Sequence, residues 1–420
     1  MNRFADHCHR VAPHDLTFLA GVPCVYHCHH FNLFHDQTID DVLGERASFD
    51  LRMRVARDQF GRLLANLAKT LGASLPAEIT ALAQSLTATM GHGKLSFEGT
   101  GDATRAMGEH LHYGFAWREK YGTRVRRIDP TDAVAAGIIA AVARLTSPGE
   151  LDYLGRELQC VAMRAPACQL VVERETQKEA LPVVDSARIL PRLTGAPVTS
   201  VGEDDIARIT QGLDTFLRSV GGDERGLIDA FGVLVTHHLS GYYNETAFQA
   251  VRHVEAISPA VVGSCEDLLR EAGHVCVFNT FGNILLSPEW EGLVGPVRDD
   301  PEEIVLGCTA IARGLGFGHW SIAEHVPNER LVMRTTSNYE AAHWLERFGP
   351  DTKSREYFMQ GAALAFMVLA NRVRWSERPQ LTQAYYDQLF RGDGLGFRVS
   401  APRSLTMGHD LTEVVVEATS

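Results

Sequence analysis

No stretch of this 420-residue chain reaches the roughly 18 uncharged apolar residues that a helical membrane span requires; residues 361–370 come nearest, at about half that length. A soluble chain is the expectation. Basic charge is also scarce, with 40 Lys and Arg against 52 Asp and Glu and a net charge of −12. A surface of that sign repels polyanions, which argues against nucleic acid and anionic membranes as partners and leaves small molecules, proteins or a homodimer. Cysteine is sparse too, eight residues in all, far below a disulfide scaffold. Residues 1–15 lack the apolar segment and small-residue cleavage site of a secretory leader, so a cytoplasmic location is expected. In that reducing setting the cysteines read as metal ligands, chemistry or core filling. Proline (17) and glycine (37) are too few for low complexity, and 45% apolar with 22% charged residues describes an ordinary folded protein of two or three domains. Nucleotide-binding fingerprints are missing as well. Gly91-His92-Gly93 and Gly316-Phe317-Gly318 lack a third glycine at the required offset, and neither Gly-Lys-Ser/Thr nor a Gly-x-Ser-x-Gly elbow occurs. No nucleotide cofactor is expected.

What the chain does contain is a repeated order of landmarks. Cys24-Val25-Tyr26-His27 is matched by Cys276-Val277-Phe278-Asn279, and Asn32 by Asn283. Gly91-His92-Gly93 is matched by Gly316-Phe317-Gly318, and Tyr113, Trp117 and Tyr121-Gly122 by Tyr339, Trp344 and Phe348-Gly349. Small-residue helices then begin at Gly137 and Gly361, and strand-like runs close each series at 169–173 and 413–417. These landmarks predict a duplication: a first domain at 1–177, a linker with inserted helices at 178–261, and a degenerate second domain at 262–420, packed as a pseudo-dimer. The fold class is α+β, with helices on a small antiparallel sheet in each domain. A helix is expected over 51–70, with Phe60, Leu63, Leu64 and Leu67 on one face, and strands over 95–98 and 331–335. Between the domains, 191–202 reads as linker, and 204–219 and 229–238 as helices broken at Gly221-Gly222.

Glu157, Cys160 and Cys168 carry a metal-like spacing. Two thiols and a carboxylate on either side of a turn into a strand can converge on zinc; the alternative is two cysteines filling a core. The second copy has Ala401, Ser404 and Thr412 at these places, a poor ligand set. This stretch, with the Gly-rich start, the aromatic pair and the small-residue helix, resembles the 4-vinyl reductase domain family, which includes ligand-sensing domains of phenol-responsive bacterial activators. The resemblance spans roughly 20–173 and 265–418. It implies a structural zinc beside a small hydrophobic pocket, held by a Glu-x2-Cys-x7-Cys pattern that Glu157, Cys160 and Cys168 match, and by an upstream Cys. That Cys is missing here; aligned on Gly137, its place falls near Asp132.

Seven of the 18 histidines lie in the first 35 residues. Read as a strand, 24–30 places Cys24, Tyr26, Cys28 and His30 on one face and His27 and His29 on the other, with Asn32, His35 and Asp36 following. Such a set could bind a metal or hold a thiolate beside a base, with Cys28 and His30 central; the alternative is surface histidines and packed cysteines. His112, Tyr113 and Trp117, with Tyr26 and Asn32, are candidate pocket residues, and His237-His238 on a helix could cap it. Two functions follow: an enzyme using the Cys24–His35 cluster on a small organic molecule, or a non-catalytic binding or sensing protein with a structural zinc.

Overall fold

Alternating apolar side chains near the N-terminus fold into three antiparallel strands in the computed structural model, which describes residues 4–122, 124–125, 127–148, 151–175, 181–193, 198–391 and 396–419. They are β1 (Cys8–Val11), β2 (Leu16–Leu19) and β3 (Val22–Cys28). Ala20 and Gly21, both at positive φ, make the two-residue turn between β2 and β3 that suits a tight hairpin. Three helices follow, α1 (His29–Leu43), α2 (Glu45–Leu71) and α3 (Pro76–Thr89). Next come β4 (Ser96–Glu98), β5 (Arg105–Gly108), α4 (His112–Tyr121), α5 (Ala133–Thr146), β6 (Asp152–Gln159) and β7 (Cys168–Glu175). After α6 (Ser186–Ile189) and α7 (Glu203–Ser219), a second hairpin forms from β8 (Ile228–Ala230) and β9 (Val233–Leu239). Helices α8 (Ser240–Ile257), α9 (Val262–Cys276), α10 (Gly282–Leu286), α11 (Pro288–Leu293) and α12 (Pro301–Gly314) succeed it. The chain ends with β10 (Gly318–Val326), β11 (Arg330–Asn338), α13 (Tyr339–Phe348), α14 (Tyr357–Arg372), α15 (Gln383–Phe390), β12 (Phe397–Arg403) and β13 (Thr412–Ala418).

The fold is α+β, with the helices packed among three antiparallel sheets in the described residues. Their strand orders are β1-β2-β3-β9-β8, β4-β5-β7-β6 and β10-β11-β13-β12, so the two four-stranded sheets share one topology. On α2, Phe60, Leu63, Leu64 and Leu67 are all fully buried, each contributing about 2 kcal/mol of transfer free energy. α2 packs on α5, and α9 packs likewise on α14.

Three expectations from the sequence are corrected. Residues 229–238 form the β8–β9 hairpin instead of a helix, and His237 and His238 therefore sit on a strand. The strand expected over 24–30 stops at Cys28, since Phe31, Leu33 and Ile39 carry the helical burial that starts α1 at His29. Cys276-Val277-Phe278-Asn279 is no counterpart of β3, because Cys276 ends α9 and Val277–Phe281 is a π-helical turn. The expected domain limit at 177–178 and residues 194–197 of the expected linker lie outside the described residues.

Candidate metal centre

Asp132 stands immediately before α5, and its carboxylate turns back to the start of α4. Its Oδ1 accepts the Tyr113 N–H at 3.2 Å and its Oδ2 the Gly114 N–H at 2.9 Å, so the helix N-terminus supports the negative charge. Glu157 lies where β6 slips register against β7, a bulge that turns its side chain towards the same place. Its Oε2 accepts the N–H groups of Thr131 (3.0 Å) and Asp132 (2.8 Å). Cys160 follows directly. A single 3-10 turn, Val161–Met163, then Arg164 in the left-handed region, brings the chain back to Cys168 at the start of β7.

The four side chains are all buried, and one ligand atom from each lies within 4.8 Å of the others. The Sγ atoms of Cys160 and Cys168 are 4.0 Å apart, and Asp132 Oδ2 lies 4.0 and 3.5 Å from them respectively. A tetrahedral zinc with bonds of about 2.0–2.3 Å has ligand–ligand edges of about 3.3–3.8 Å, and the three separations among Asp132, Cys160 and Cys168 lie at or slightly above that range. Glu157 Oε1 is buried without any hydrogen-bond partner. Gly114 leaves the room: a Cβ there would sit 2.6 Å from Asp132 Oδ2 and 3.2 Å from Cys160 Sγ.

The electrostatics would suit a positive charge at this place. Burial, then repulsion from Glu157, holds the Asp132 carboxyl well above the ordinary carboxylate range, and burial does the same to Glu157. The Cys168 thiol is pushed up by its hydrogen bond to Cys160, which is itself brought down to about 7 by that bond. A divalent cation among these groups would favour the charged form of each. Two sulfurs and two carboxylate oxygens make a donor set that could hold a metal ion.

The N-terminal candidates behave differently, and their side chains do not converge. Among the described residues, the Asp132–Cys168 set is the one group of three or more His, Cys, Asp or Glu donors that meets within 4.8 Å. Cys24 donates to the Val22 carbonyl at 3.2 Å, and burial pushes the thiols of Cys24 and Cys28 upward, away from thiolate. Tyr26 stacks on His237 with ring centres 4.3 Å apart. His27 is sandwiched between Phe31 and Phe317, with Nδ1 3.5 Å from Cys276 Sγ. His29 accepts the Leu234 N–H at 3.2 Å and is taken down to about 4 by burial. His30, at the first turn of α1, packs against His29 and is likewise lowered by burial. His35 lies 3.4 Å from Asp36 Oδ1.

Three of the expected pocket residues, Asn32, His112 and Tyr113, lie together in the interior. Asn32 accepts the Tyr243 hydroxyl at 2.7 Å, donates to Thr236 Oγ1 at 2.9 Å, and lies 3.0 Å from His112 Nε2. Tyr113 Oη lies 3.3 Å from His238 Nε2, and His238 makes an edge contact with His92. Both ring nitrogens of His92 are buried without a partner. Trp117 lies under the Arg127 guanidinium, 4.9 Å from its ring centre.

Sequence reasoning missed several residues here. Gly114 is invisible without knowing that Asp132 comes back onto α4. Asp36 and Asp40, which hold Arg52 at 2.5 and 2.7 Å in the core, show only as helical charges at i, i+4 spacing.

No protein-family model matches the chain. No curated protein matches it either. Among solved structures, the crystal structure of the phenol-responsive sensory domain of the transcription activator PoxR with phenol is similar at 18% identity and a TM-score of 0.34, over 42% of this chain and 89% of that one.

Proposed function

We propose that this protein is a non-catalytic small-molecule-binding protein whose fold is held by one structural zinc on Asp132, Glu157, Cys160 and Cys168. The observation that carries this reading is closure: four protein donors are buried together, which is the form of a structural site, whereas a catalytic one keeps a position open for water or substrate. The buried, protonated state of Cys24 and Cys28 speaks against nucleophilic catalysis by the N-terminal cluster. For the ligand, the suitable space is a cleft of about 350 Å³ between α7, α11 and α12, within the usual range for small molecules. Ile209, Leu285, Trp290 and Val297 give it an apolar wall, and Arg208 and Arg298 stand at its rim.

Elemental analysis of untagged protein tests the metal, with about one zinc per chain expected. Less than a tenth of an equivalent of any metal would remove the proposal. Native mass spectrometry tests the ligand: a small molecule retained by wild type and lost in Trp290→Arg is expected, and retention by that variant would displace the site from this cleft.

A further inference from the structure

The two halves correspond more closely than their sequences suggest, though not along the landmarks that open them. The turn Ala20-Gly21 has its partner in Phe231-Gly232, all four residues at positive φ, and each hairpin runs straight into a helix. Laying Gly21 on Gly232 places Tyr26 on His237, Cys24 on Val235 and Cys28 on Leu239. In the β3–β9 ladder Tyr26 faces His237, Cys24 faces Leu239 and Cys28 faces Val235. Every pairing is thus its own reverse, the signature of an isologous contact about a twofold axis.

The same reciprocity extends outward. His237 N–H donates to the Met90 carbonyl at 2.9 Å, at the end of α3, and Tyr26 N–H donates to the Leu315 carbonyl at 3.0 Å, at the end of α12. α1 packs on α9, and α2 packs on α8. Further along, His112 N–H donates to the His92 carbonyl as Tyr339 N–H does to that of Phe317.

Around the metal centre the match is at the level of single atoms. Met163 and Ala165 N–H both donate to the Cys160 carbonyl, and Met407 and His409 N–H to that of Ser404. Arg164 and Gly408 both take the left-handed conformation. Val161 N–H meets Cys168 Sγ at 3.5 Å, and Leu405 N–H meets Thr412 Oγ1 at 2.9 Å. Where Asp132 precedes α5, Glu356 precedes α14; it is fully buried and accepts from Asn338, Ser404 and Thr412 side chains.

We infer that the chain is a covalently joined dimer of one module, its twofold axis passing between Tyr26 and His237, and that Glu356, Ser404 and Thr412 frame a disused metal position in the second module. This goes beyond the proposed function and sets the second module's start at Ile228 instead of residue 262. The hairpin β8–β9 and α8 belong to that module and are no insertion. Metal entry at the second position needs sulfur in place of the two hydroxyls and a carboxylate in place of the Ala401 methyl, with the two thiol protons released to solvent.

The test transplants each donor set onto the other frame in the full chain, with Co²⁺ as the probe and thiolate charge-transfer absorption as the readout. A401E/S404C/T412C should bind one Co²⁺ per chain more than wild type, and adding E356Q should abolish only that increment. A folded triple variant with no increment, or an increment that survives E356Q, overturns the inference. The reverse transplant, E157A/C160S/C168T, should fold without metal and melt at the same temperature with and without chelator. Failure of both transplants to fold would show that the frames are not interchangeable and would equally overturn it. A wild-type chain without metal would sink the proposed zinc, yet the increment would still decide the second position.

Discussion

Asp132 and Glu356 are both buried carboxylates placed just before an apolar helix, and burial pushes both upward, but their neighbours differ. Glu356 meets neutral donors: Asn338 and Thr412 each reach Oε1 at 2.5 Å, and Ser404 donates to Oε2. Asp132 meets a second carboxylate and two thiols, groups that repel its charge. At Glu356 hydroxyls and an amide donate to the buried carboxylate; Glu157 and the two thiols are what make the Asp132 site able to hold a cation.

The halves differ in their interiors too, and acid should separate them most. Burial depresses His92 of the first module, whose matching position in the second is Phe317; it also depresses His238 and its counterpart His27, and takes His237, the counterpart of Tyr26, down to about 3. A folded value below the unfolded one means that the unfolded state binds more protons between pH 6.5 and 3, so the stability is intact above 6.5 and lost as pH falls. His237 alone should cost about 1.4 kcal/mol per pH unit in that window, and His92 and His238 add to it in the same direction. Urea melts at pH 7.5, 6.0 and 5.0 should show this, and His92→Phe should flatten the slope. A stability constant across the series would dismiss the account.

Cys168→Ala should cost about 3–5 kcal/mol and make the melting temperature insensitive to chelator, because it leaves buried acids without their cation. Equal chelator sensitivity in wild type and variant would break the contrast with the second half. Glu356→Gln should cost about 1.5–3 kcal/mol, the worth of hydrogen bonds to a charged acceptor, with metal content unchanged by elemental analysis. Gly114→Ala should lower stability by about 1–2 kcal/mol and weaken metal binding in competition with a chelator. Helix propensity alone would give about 1 kcal/mol of the opposite sign, so a stabilised variant would show that the site tolerates the methyl.

Local chemistry was readable from the sequence wherever it depended on neighbours in the chain. The α2 stripe of Phe60, Leu63, Leu64 and Leu67 obeys helical periodicity, and Glu157, Cys160 and Cys168 are set by one bulge and one turn. Asp132 was reachable only through the family resemblance, whose upstream ligand position falls near it when aligned on Gly137. Residues 229–238 were misread because Ala230-Phe231-Gly232-Val233 places a hairpin turn in a short apolar run, where period alone does not distinguish strand from helix. The histidine cluster was misjudged for a related reason. β3 is buried on both faces, so alternation along it sorts side chains between two interiors and gathers none at a surface.

The pairing of β3 with β9 also has a kinetic side. β3 emerges from the ribosome about two hundred residues before its partner strand, and until β9 arrives one edge of the first hairpin stays open to any extended segment with free amides. Two nascent chains can satisfy each other there. Synthesis halted before Ile228 should therefore yield paired or aggregated chains, and the second hairpin acts as a built-in cap that ends this exposure.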